Sequence, residues 1–260
     1  MSGEMIFEKL EIGDHVILRA SLESGNESIA LAQSQSLQKA EKVHKDSPSG
    51  RKRNFDEIRS QNFLGTLADI VCARLLRGYF RKHSLDIAVT RYDDVRTDDF
   101  EDHDQYDLKL SSQGIDHLVE VRSSVCIYMP LEAMIKRWQI LGPYASSTKG
   151  ATETEKSFYL RPIYHLSNFE ENKRTNSYQR TAADELINRG DLQLYFVGGA
   201  TNAMLQERGR NEAGQELKQG KAEFKVLDIT DGLDAREILE AIGRIAAKES
   251  TGNGNEKAET

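Results

Sequence analysis

Tyr106 to Ser124, YDLKLSSQGIDHLVEVRSS, is the stretch whose reading decides the fold. Tyr106, Leu108 and Leu110 alternate with Asp107, Lys109 and Ser111, and later Val119 and Val121 alternate with Glu120 and Arg122. A period of two sends each set to its own face of a strand, giving two short strands with one apolar and one charged face. Gln113-Gly114 between them is a two-residue hairpin loop, Gly supplying the positive φ that such turns need. With that loop, opposed residue numbers sum to 227, which sets Asp107 opposite Glu120, Tyr106 opposite Val121 and Leu108 opposite Val119. One choice of turn therefore pairs the apolar residues and the two carboxylates alike.

Ionising two carboxylates a few ångströms apart is unfavourable unless a cation lies between them. Mg²⁺, or Mn²⁺ in its place, is the hard oxygen-seeking ion that suits such a pair. The plainer alternative is a sheet surface on which Arg122 or Lys109 neutralises the acids.

The flanking sequence limits the choices. A chain of 260 residues holds one sizeable core with decorations. Its formal charge of −7 excludes coating of nucleic acid by bulk electrostatics, so any DNA contact has to be local. Cys72 and Cys126 fall in apolar segments and read as reduced core residues, and no zinc site is expected. No apolar run approaches the ~18 residues of a membrane span. The N-terminus lacks the basic-then-apolar layout of a signal peptide, so a cytoplasmic protein without a membrane partner is expected.

In chain order, His15 to Ala20 reads as a strand outside the core, and 21–54 as linker plus a solvated helix, with Arg51-Lys52-Arg53 a short basic run. Asn54 or Asp56 caps a helix running to about His83, with Leu64, Leu67, Ile70, Val71 and Leu75 at helical spacing. Gly65 in it suggests close approach to a neighbour. Asp69 either borders the apolar face and reaches water or is a third carboxylate aimed at the hairpin. Residues 85–92 read as a strand, followed by eight carboxylates between Asp93 and Asp107, most of which read as a solvated loop, with only Asp107 fixed in a strand. After the hairpin come a helix from Pro130 to about Leu141, ended by Gly142-Pro143, and a strand at 157–166 whose Pro162 marks an edge or a bulge. The polar segment 168–180 carries Lys173, Arg174 and Arg180 and reads as a loop, either a nucleic-acid contact or plain surface. A short helix, the strand LQLYFVGGA with a close-packing Gly-Gly turn, a helix from about Thr201, a flexible excursion at 209–221, a strand at 222–229 and an amphipathic helix at 234–248 complete the chain. The division expected is 1–54 as N-terminal strand and polar linker, 55–248 as one α/β domain, and 249–260 as a disordered tail.

The order helix, strand, strand with Asp107, strand with Glu120, helix, strand resembles the PD-(D/E)XK, or restriction-endonuclease-like, nuclease superfamily over roughly residues 55–165. The resemblance implies an α-β-β-β-α-β core, a mixed sheet flanked by helices, with peripheral strands and helices around it. It implies that Asp107 and Glu120 bind Mg²⁺ or Mn²⁺, with Asp69 as the acid of the first helix. Two departures stand out: Glu120-Val121-Arg122 carries Arg where the family's triplet carries Lys, and Tyr106 precedes Asp107 where the family has Pro. Arg122 stays protonated and holds phosphate instead of acting as a base. Lys109 on the Asp107 face, or Lys136 on the next helix, is a candidate for the missing Lys, and Lys136, Arg137, Lys173, Arg174 and Arg180 are candidate DNA contacts. The activity implied is a metal-dependent DNA endonuclease or nickase, a phosphodiester hydrolase of a bacterial restriction or DNA-modification system in antiviral defence, working with other subunits. The alternatives are a catalytically inactive, nuclease-fold DNA-binding or assembly subunit, and an α/β module that binds a protein through the acidic run 93–104.

Overall fold

The computed structural model describes residues 5–23, 25–42, 53–101, 104–146, 153–213 and 223–252. The elements in order are β1 (Phe7–Ile12), β2 (His15–Ala20), α1 (Glu27–Lys42), α2 (Phe55–Lys82), β3 (Ala88–Arg91), the single turn α3 (Tyr92–Val95), β4 (Leu108–Ser112), β5 (Ile115–Val121) and β6 (Ser124–Cys126). They continue with α4 (Leu131–Arg137), β7 (Gln139–Ser146), β8 (Phe158–Leu166), α5 (Phe169–Thr175), α6 (Ala183–Asn188), β9 (Leu192–Thr201), α7 (Asn202–Arg208), β10 (Arg210–Ala213), β11 (Glu223–Asp228) and α8 (Ala235–Gly252). The basic run at 51–52, the loop at 147–152, the excursion at 214–222 and the tail from 253 lie outside the described residues.

The protein is mixed α/β, with a mixed sheet flanked by helices. The main sheet runs β1-β2-β9-β8-β5-β4-β3, with β6 also paired to β8. Neighbours are antiparallel except that β8 runs parallel to β5 and β6. A second sheet, β10-β11-β7, is antiparallel throughout. The β4–β5 hairpin has the expected register, Leu108 opposite Val119 down to Ser112 opposite Ile115. Gln113 and Gly114 both have positive φ, 49° and 85°, as a tight primed turn needs.

Each face of the sheet has its own core. On one side α2 lays Leu67, Val71 and Leu75 over Leu108, Leu110, Val119, Phe158 and Leu160, and α8 closes the layer with Ile238 and Ile242. On the other, Tyr159, Ile163 and Val197 meet Met134 and Ile135 of α4, with Leu205 and Leu227. Helix α2 starts where Asn54 and Glu57 cap each other's backbone N–H groups.

Several expectations are corrected. Strand β2 is not outside the core: it pairs with β9, and Ile17 is fully buried. Helix α1 is no solvated helix, because Ile29, Ala32 and Ala40 bury against α2. Helix α4 stops at Arg137, and Gly142-Pro143 lie inside β7, which pairs with β11. Pro162 marks a bulge, at the register shift after Leu160, but β8 is central and not an edge. Gly198 and Gly199 lie within β9, not in a turn; a Cβ on Gly198 would sit 2.0 Å from the Leu233 carbonyl oxygen, so close packing is their role. A Cβ on Gly65 would meet nothing within 4 Å, so no close approach requires that glycine. Segment 168–180 is not an open loop but α5 followed by a 3₁₀ turn. No helix of the described residues is long and apolar enough to cross a membrane.

Candidate active site

Asp107 just before β4 and Glu120 near the end of β5 stand at one level of the hairpin, and Asp69 on α2 lies within reach of the charge of Asp107. Asp107 stands one residue before β4. Its N–H donates to the Val119 carbonyl at 3.2 Å, and its Oδ2 accepts the Val121 N–H at 2.6 Å. Burial pushes the Asp107 carboxyl up to about 8, with the charge of Glu120 adding to the rise and the Val121 N–H and Arg122 opposing it. Glu120 is raised too, by burial first, against the pull of Arg122 and Lys156. Asp69 on α2 is raised well above the carboxylate range, by burial first and then by the charge of Asp107.

The oxygens left over matter for chemistry. Among the described residues none donates a hydrogen bond to Asp107 Oδ1, to Glu120 Oε2 or to either oxygen of Asp69. These are hard donors in a partly desolvated setting, the ligand type that Mg²⁺ prefers. Among the described residues no three His, Cys, Asp or Glu side chains form a ready-made metal cage as they stand. A cation there would be held by Asp107 and Glu120 and complete its shell with water, as Mg²⁺ commonly does.

The cations are arranged less as expected. Arg122 Nη2 is shared between Glu120 Oε1 at 3.3 Å and Glu153 Oε1 at 2.5 Å, and the guanidinium lies 5.0 Å from the centre of the Tyr144 ring. Its buried Nε–H has no hydrogen-bond partner among the described residues. Lys109 points the other way along the hairpin and pairs with Asp116 at 3.2 Å. Lys136 and Arg137 are exposed on the last turn of α4. They adjoin Trp138, whose ring lies 5.9 Å from Arg161, and Arg161 in turn donates to the Arg122 carbonyl at 2.5 Å. Lys173, Arg174 and Arg180 are exposed on α5 and the turn after it. Glu120 is level with Tyr159 at the start of β8, whereas α5 begins beyond Leu166 at its end. At about 3.3 Å per strand residue, the start of α5 lies roughly 20 Å along β8 from Glu120.

The sequence reading missed Glu153, Lys156, Lys39 and Arg161. Glu153 and Lys156 sit in a polar connection that no periodicity singles out. Arg161 had a signal, a charge in the middle of an apolar strand, which forces a polar environment on its face of the sheet. Within the acidic run Asp94, Asp99, Glu101 and Asp104 are exposed, as expected of most of it, and one acid departs from that. Asp93 is buried, not solvated, in a network with Lys39 at 2.8 Å, Arg91 at 3.3 Å and Arg96 at 3.3 Å. Arg96 also binds Asp98 and Asp104 at 2.7 and 2.6 Å.

The fold and site define a mixed α/β protein with a carboxylate cluster, countered by buried cations, at one end of its main sheet. No protein-family model, curated protein or solved structure matches the chain in comparison.

Proposed function

We propose that this protein is a metal-dependent endodeoxyribonuclease or nickase with a restriction-endonuclease-like core. The observation that carries the reading is the Asp107–Glu120 pair at one level of the hairpin, Asp107 held by the Val121 N–H and Glu120 by Arg122, with Asp69 of α2 within reach of the charge of Asp107. The core order supports it: α2, the antiparallel meander β3-β4-β5, then α4, then β8 parallel to β5.

Asp107 and Glu120 would hold Mg²⁺ or Mn²⁺. That ion lowers the pKa of a bound water and offsets charge on the phosphodiester transition state. The chain supplies the rest. The Val121 N–H fixes the Asp107 carboxylate against rotation. Arg122 clamps Glu120 and Glu153 together, so the second acid is held by charge instead of by chain stiffness. Burial of the cluster keeps the local dielectric low, which strengthens each of these interactions. One site cuts one strand, so a monomer would nick DNA. A place in a bacterial restriction or modification defence system, with other subunits, is the setting such an activity suits, by analogy of fold alone.

A second reading has its own observation. The Arg122–Glu120 ion pair already neutralises one of the two metal-holding acids, which favours a DNA-binding or assembly subunit that cuts nothing. Supercoiled plasmid incubated with Mg²⁺ or Mn²⁺ separates the two. Relaxed circles from the wild type, absent with Asp107→Asn and Glu120→Gln, are the expected result. DNA bound but left intact with every metal moves the assignment to the non-cutting subunit.

A further inference from the structure

Lys156 is only 5% exposed, a degree of burial that lysine adopts almost exclusively when paired. Yet among the described residues no carboxylate lies within ion-pairing distance of its ammonium. The other cations of this end of the sheet each hold a carboxylate or a carbonyl. Arg122 is held by Glu120 and Glu153, and Lys39 by Asp93 and Asp104. Arg161 gives its donors to the carbonyls of Gln139 and Arg122 and to Ser124 Oγ. Lys156 is also firmly mounted. Its N–H donates to the hydroxyl of the buried Tyr159 at 3.0 Å, and the next residue, Ser157, donates from its N–H to the Leu118 carbonyl at 2.9 Å. This fixes it at the mouth between β5 and β8, where its charge acts on Glu120. Beside Glu120 a second donor is unspent, the buried Nε–H of Arg122.

An ammonium on a largely buried stem with no carboxylate partner, and a buried guanidinium N–H with no acceptor, both judged among the described residues and both flanking the same carboxylate, form a place for an oxygen-rich anion from outside. We infer that Lys156, with Arg122 Nε, forms the phosphate-holding half of the site and contacts a non-bridging oxygen of a nucleic-acid phosphodiester. The inference rests on the nuclease reading and makes Lys156 a substrate-contacting residue. The rival role is structural, Lys156 acting only as the counter-ion of Glu120.

Fluorescence anisotropy of a labelled DNA duplex, in Ca²⁺ over a range of KCl concentrations, tells them apart. Lys156→Met should weaken binding about tenfold and reduce the log–log salt slope by about 0.9, the share of one phosphate contact. Lys156→Arg should restore most of the slope, and Lys109→Met should leave it unchanged. Wild-type affinity and slope in folded Lys156→Met, with only the pH dependence of its stability altered, would establish the counter-ion role and overturn the inference alone. Absence of DNA binding by the wild type at any salt would overturn the nuclease reading and this inference with it. Reductive methylation of the wild-type protein probes the same contact without a substitution: DNA should protect Lys156 from labelling, and equal labelling with and without DNA would count against the contact.

Discussion

The backbone N–H of Val121 reaches 2.6 Å to Oδ2 of Asp107, so the end of the second hairpin strand holds the acid that precedes the first. That bond lowers the Asp107 pKa, but burial and Glu120 outweigh it and leave the carboxyl at about 8. An acid raised from 3.8 to about 8 keeps its proton in the folded state over a range where the unfolded chain has lost it. Its contribution to stability is therefore full at low pH and declines as pH rises through that window. With the metal chelated, the stability of wild type relative to Asp107→Asn should fall by about 1 kcal/mol per pH unit between pH 5 and 8. Urea unfolding in EDTA at three pH values measures it, and parallel dependences would show an ordinary carboxylate.

The same proton should report on metal. If Mg²⁺ binds Asp107 and Glu120, the proton that Asp107 carries at pH 7 has to leave. Titration calorimetry in two buffers of different ionisation enthalpy should give release of about one proton per chain at pH 7, falling towards zero at pH 9. Glu120→Gln should abolish the heat. Binding without proton release would place the ion elsewhere.

The hairpin was legible because register, turn and apolar pairing all follow from a few adjacent residues. Its register came out as the alternation requires, with Leu108 opposite Val119 and the Val121 N–H on Asp107. What was hidden depends on distant partners. The run His15 to Ala20 gives no sign that β9 is its neighbour, nor the Gly142-Pro143 pair that β11 draws it into a strand. Asp93 looks as solvated as its neighbours until Lys39, fifty-odd residues earlier, closes over it. Side-chain direction is equally non-local: Lys109 shares the face of Asp107, but Asp116 near the turn captures it.

That buried network carries a stability prediction. The Asp93 side chain is 4% exposed and bonds three cations, of which Arg91 and Arg96 are themselves nearly inaccessible. Asp93→Ala would remove the one acid that Lys39, Arg91 and Arg96 share, each of them keeping another carboxylate, at a cost of about 1.5–3 kcal/mol. The Tyr92 N–H, in the same turn, donates to the Asp107 carbonyl at 3.0 Å, so the loss should also loosen the start of β4. Asp98→Ala, whose partner Arg96 keeps two other carboxylates, should cost under about 1 kcal/mol. Denaturant midpoints of the two variants decide it, and equal midpoints would deny the network any role.

Two glycines should respond to the same substitution with opposite signs. Gly114 has a φ of +85°, where an L side chain is strained even though open space surrounds it. Gly114→Ala should cost about 1–2 kcal/mol. Gly65 lies inside α2 with ordinary helical backbone and nothing within 4 Å of an added methyl. Gly65→Ala should therefore gain about 0.5–1 kcal/mol, through helix propensity and a less flexible unfolded chain. The two changes sit on separate elements and should add in the double variant. Gly65 is also one helical turn from Asp69, so metal affinity checks that α2 has not shifted. Unchanged affinity with raised stability is the expected result, and destabilisation by Gly65→Ala would mean that α2 packs closer to a neighbour than its surroundings here allow.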